Sequence, residues 1–140
     1  MHGPDAGVAK AARWLADLGP LAQAHAATLR TLATPGGRLN LTQVNAAHAY
    51  WRITGDAEPA AEVILRAAEQ LRDHGGYYLE STAITDATAV GPAIGTAAVP
   101  ILRAALNRDS RLTRWDGWRG IATDETLRAQ ITDAIRSATR

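Results

Sequence analysis

The sequence predicts an all-α protein, a short α-solenoid of three helix pairs followed by a divergent C-terminal capping helix. Two observations point there. Thirty residues are alanine, whereas there is no phenylalanine and only five valines, so helix formers dominate and strand formers are scarce. The second observation is internal repetition, which decides fold before any local propensity does.

Three segments read alike: Thr28-Leu29-Arg30-Thr31-Leu32, Ile64-Leu65-Arg66-Ala67-Ala68 and Ile101-Leu102-Arg103-Ala104-Ala105. Upstream of each stands a glycine (Gly19, Gly55, Gly91), and a proline follows within four residues (Pro20, Pro59, Pro92). Eight residues before each glycine comes an alanine, at 11, 47 and 83. Glycine after a periodic run marks a helix C-terminus, and proline fits the first turn of the next helix. Each unit therefore reads as helix A, a Gly-Pro turn and helix B.

In chain order, the first pair is expected at about 6–18 and 20–33. The second is expected at 41–54 and 57–73, opened by Asn40 with Gln43 three residues on, a capping-box pattern. Asp56 suits the N-cap of the second B helix. The third pair is expected at 78–90 and 92–107, with Pro100 kinking or breaking its B helix. Pro35-Gly36-Gly37 and His74-Gly75-Gly76 punctuate the ends of the first two B helices. After residue 109 the register is lost. Residues 110–138 read as a loop and a final helix capped by Asp124, with Leu127, Ile131 and Ile135 on one face. The repeats thus span about 6–37, 40–76 and 77–109, the cap 110–140, all in one domain. Three repeats is near the minimum for a stable stack, so the chain is expected to belong to a longer solenoid or to pair as a homodimer.

These residues resemble the HEAT-like repeat of bacterial proteins, over about residues 6–109. The phrase from Ala46 to Asp56 and the run from Val90 through Leu106 carry most of the likeness. The resemblance implies helix pairs stacked into a superhelix, with B helices lining the concave face. It also implies a scaffold or binding surface, although some family members act on nucleic acids or prosthetic groups.

Charge and composition narrow the function classes. Hydrophobic residues make up 46% and charged residues 21%, a globular balance far from that of disordered chains. Fifteen basic against 14 acidic residues leave a net charge of +1, without the basic excess of a typical nucleic-acid binder. There is no cysteine, which excludes disulfides and thiolate metal sites and fits a cytoplasmic protein. No stretch approaches the 18 or so apolar residues of a membrane span. Fourteen arginines against one lysine fit a GC-rich genome.

Two groups of residues are candidate binding sites. Arg30, Arg66 and Arg103 follow the aligned core leucines, about 100° round each B helix. Stacked guanidinium groups suit carboxylates or phosphates. The plainer alternative is a solvated face, since Glu62 and Glu69 flank Arg66 at helical spacing. The second group is the run from Arg108 to Arg119, in which Arg114, Trp115, Trp118 and Arg119 combine the residue types favoured at binding hot spots. Its plainer alternative is a pair of tryptophans packed under the cap.

His2, His25, His48 and His74 show no metal-ligand spacing, although His25 and His48 lie on successive helices and could approach one another. No serine sits in a G-x-S-x-G elbow. No catalytic residue, metal or cofactor is therefore expected. The expected function is a protein–protein interaction module, binding along the B-helix face or at residues 108–119. A nucleic-acid-binding HEAT-like protein is the alternative. A HEAT-like lyase or enzyme subunit is the second alternative.

Overall fold

A computed structural model describes the backbone of residues 4–34, 37–76, 78–108, 112 and 117–140, and their side chains except at 4–6 and 117–119. Among the described residues every regular element is helical. Seven α-helices follow one another: α1 (Pro4–Leu18), α2 (Ala26–Ala33), α3 (Leu41–Thr54), α4 (Glu58–Asp73), α5 (Tyr78–Val90), α6 (Ala98–Leu106) and α7 (Gly117–Ala138). Two 3-10 segments, Gly19–His25 and Gly91–Ile94, lead towards α2 and α6. The chain divides into two compact units, residues 1–63 and 64–140.

The repeated glycines mark the same turn three times. Gly19, Gly55 and Gly91 end α1, α3 and α5 with φ of 56°, 79° and 71°, a left-handed conformation that costs an L-residue about 1–2 kcal/mol. Proline follows in the first turn of the 3-10 segment after Gly19 and after Gly91. After Gly55 the chain instead enters α4 through Asp56, whose carboxylate accepts from the Glu58 backbone N–H at 3.0 Å.

In the first unit α1, the 3-10 segment and α2 pack on α3. Helix α1 buries Ala9, Ala12 and Ala16, at spacings of three and four residues, on the inner face. Ala11, the alanine eight residues before Gly19, is exposed, and Ala12, one residue on, is buried. A shift of one residue turns a helix by about 100°, so the glycine landmark and the inner face are out of step in this repeat. Seven successive residues of α3, Gln43 to Ala49, are buried, so the middle of this helix is enclosed on every side. Its start is fixed by the expected capping box: Gln43 N donates to Asn40 Oδ1 at 2.9 Å, and Asn40 N donates to Gln43 Oε1 at 3.2 Å.

Helix α4 carries the most regular apolar stripe, Ala60, Val63, Ile64, Ala67, Ala68 and Leu71, all buried. Ile64, and not the landmark Leu65, is the core residue here; Leu65 is half-buried. In the second unit α7 packs against α5, α6 and the second 3-10 segment. Leu127, Ile131 and Ala134 are buried at its inner face, while Ile135 is half-buried. Two hydroxyls stitch α5 to α7: Ser137 donates to the Thr88 carbonyl at 2.6 Å, and Ser81 to Gln130 Oε1 at 2.8 Å.

Two local expectations are corrected. Pro100 does not kink a continuous helix. The break falls earlier, around Gly95, and Pro100 sits in the first turn of α6, where its missing N–H has no intrahelical partner to lose. Asp124 is not an N-cap, because α7 begins seven residues before it. Its carboxylate is used sideways, accepting from Leu112 N at 2.6 Å and from Arg128 Nε at 2.7 Å.

Candidate functional site

The arginines named from the sequence occupy three different settings. Arg30, on α2 in the first unit, lies over the Tyr50 ring at 5.4 Å and pairs with Asp56 at 3.4 Å. Both partners of that ion pair are nearly half exposed, so the bond is weak and readily exchanged. Arg66, on α4, is half-buried. Arg103, on α6, is exposed and lines an open cleft of about 350 Å³ with Pro92, Gly95, Thr96, Val99, Pro100, Ala138 and Thr139. The cleft therefore offers one cation among prolines and small side chains.

The second group is placed only in part. Arg114 and Trp115 lie outside the described residues, and Trp118 and Arg119 stand in the first turn of α7 with side chains outside them. The start of that run is structural. Arg108 is half-buried and donates to the Leu71 carbonyl at 2.9 Å, while Leu112 is fully buried. Gly76 N donates to the Leu112 carbonyl at 2.6 Å, tying the α4–α5 turn to this segment. Gly75 is left-handed (φ 74°), and a Cβ there would collide with the Leu112 carbonyl oxygen. Arg128 then closes the α6 end: its guanidinium donates to the carbonyls of Leu106 at 2.7 Å and Arg108 at 3.1 Å while Asp124 holds Nε. Planar donors directed at orphan helix carbonyls are a C-terminal cap, here supplied by another helix.

The three described histidines stand in different settings. His48 is buried beside Trp51 (ring centroids 5.7 Å apart), and His25 and His74 are exposed. Among the described residues no three acidic or histidine side chains group to hold a metal ion. No described helix is long and apolar enough to cross a membrane.

A surface the sequence reading passed over lies on α1. Trp14 is 62% exposed, Leu18 53%, and Leu21, in the following 3-10 segment, 87%. Ala11 joins Trp14 and Leu18 on the same face of the helix. By helical angle this stripe lies roughly opposite Ala9, Ala12 and Ala16, so α1 is apolar on two faces and only one of them is core. Lys10 leans over the Trp14 ring, its Nζ 5.3 Å from the centroid. The signal was present in the sequence: the apolar residues of α1 do not fit one helical stripe.

Compared with known proteins, the chain matches no family model, no curated protein and no solved structure.

Proposed function

We propose that this chain is a HEAT-like α-solenoid module whose work is to bind another protein surface. The observation that supports the reading best is the second apolar face of α1, with Trp14, Leu18 and Leu21 mostly in solvent. A helix that has already buried one face gains nothing for its own fold by exposing another. Contiguous exposed apolar residues with a tryptophan at the centre are the pattern of a protein docking surface. The recurrence of the left-handed glycine every 36 residues supports the repeat reading. In a stacked array, an outer helix with an uncovered apolar face is where the next protein surface belongs.

This reading moves the docking face from the B helices to an A helix. Arg30 is engaged with Asp56 and Tyr50, and Arg108 with Leu71, so part of the basic surface that favoured nucleic acid is already occupied within the fold.

Photo-crosslinking tests it. A benzoylphenylalanine at position 14 is compared with one at the exposed Thr132 of α7. The expected result is protein adducts from position 14 alone, identified by peptide mass and abolished by Leu18→Glu with Leu21→Glu. Absence of adducts from position 14, with the helical content intact, overturns the reading.

A further inference from the structure

We infer that the partner of the α1 face is a second copy of this chain, docked antiparallel about a two-fold axis near Trp14. The inference rests on the reading of that face as a docking surface and names its occupant. The argument is charge complementarity. Lys10 and Asp17 are both exposed and stand seven residues apart, two helical turns, with Trp14 between them. At about 100° per residue their directions differ by only about 20°, so cation, indole and carboxylate share one stripe. An isologous interface requires a patch complementary to itself. When two such helices run antiparallel about a point between residues 13 and 14, Lys10 of one copy comes opposite Asp17 of the other, twice. The two Trp14 rings then meet beside the axis, and Leu18 of each copy comes level with residue 9 of the other. The same helices run parallel would set Lys10 beside Lys10 and Asp17 beside Asp17, so the charges choose the antiparallel arrangement.

Leu21 extends the contact beyond α1. At 87% exposure it contributes almost its whole side chain to whatever covers the face. Lys10 already lies along the Trp14 ring, so its ammonium needs no large rearrangement to reach a carboxylate across the interface.

The charge pattern dictates a test that hydrophobic association alone does not pass. Lys10→Glu and Asp17→Lys are made separately in the full chain and followed by sedimentation equilibrium, with circular dichroism to establish that both fold. Each variant alone places like charges opposite one another twice, and its self-association is expected to weaken about tenfold. Mixed in equal amounts, the two variants form heterodimers in which both pairs are again opposite in sign. Their affinity is expected to return close to that of the unsubstituted protein. Failure of the mixture to recover, or a monomeric unsubstituted protein at all concentrations, overturns the inference. A monomer that still yields position-14 adducts with another protein overturns only the identity of the partner; a chain without adducts removes the docking surface itself.

Discussion

Asn45 is the residue on which the α1–α3 contact is organised. It is buried in an otherwise alanine-rich interface, donates to the Ala9 carbonyl at 2.9 Å and accepts from Arg13 at 2.6 Å. Replacing it by alanine strips a helix carbonyl and a guanidinium of a partner in a place that a shorter side chain cannot reach. Asn45→Ala is expected to lower the unfolding free energy by about 2 kcal/mol, measured by urea denaturation. Two glycines make a sharper comparison. Nothing lies within 4 Å of a Cβ at Gly55, so Gly55→Ala should cost only the left-handed backbone, about 1 kcal/mol. Gly75→Ala adds a collision with the Leu112 carbonyl and should cost about 3 kcal/mol or more.

At Asp73, hydrogen bonds from Arg72 at 2.7 and 3.0 Å hold the carboxyl below its ordinary range. A depressed carboxylate stabilises the fold above its unfolded pKa and releases that contribution as pH falls through the folded value. Because the pair is open to solvent the effect is small, and Asp73→Asn should flatten the acid limb of the stability profile only slightly. Gly55 was legible from spacing, and Gly75 only as part of the His74-Gly75-Gly76 stop. Asn45 was not, because an asparagine among alanines has the same sequence signature in solvent as in a core.

Among the elements, α3 owes its first turn to Asn40 and Gln43, and this start was readable because a capping box is a local code. Asn40→Ala should cost about 1 kcal/mol. The end of α6 was not readable. Its last carbonyl, at Leu106, and that of Arg108 just beyond it are satisfied by Arg128, some twenty residues away in sequence, and no local pattern announces a cap delivered by another helix. For the same reason Asp124 looked like the start of a helix when it is the brace of this arginine. Arg128→Lys keeps the charge but loses the planar fork, and should destabilise nearly as much as Arg128→Ala, by about 2 kcal/mol. Pro100 follows the opposite logic: read as an interruption, it is the residue best suited to the first turn of a helix that begins at Ala98.

For the whole molecule, the sequence period sets three left-handed glycines 36 residues apart, each ending a helix, but the helices that follow begin seven, three and seven residues later, at Ala26, Glu58 and Ala98. It does not make the repeats alike in exposure. Five residues before each glycine stand Trp14, Tyr50 and Asp86, which are exposed, half-buried and buried in turn. Register records chain geometry, whereas exposure records which neighbour each helix has, and only the first is written in the spacing. The exposed Trp14 is therefore the place where the periodic pattern and the surface part company, and the proposed function follows from it.

The most direct measurement of that claim is solvent paramagnetic relaxation, using an inert gadolinium chelate and NMR signals of the Trp14 indole and the Leu18 and Leu21 methyls. The account predicts strong broadening in the Lys10→Glu protein, where the face is open. It predicts protection of the same signals in concentrated unsubstituted protein, while Thr132 stays equally accessible in both. Broadening of Trp14, Leu18 and Leu21 that is the same in the two samples would contradict it.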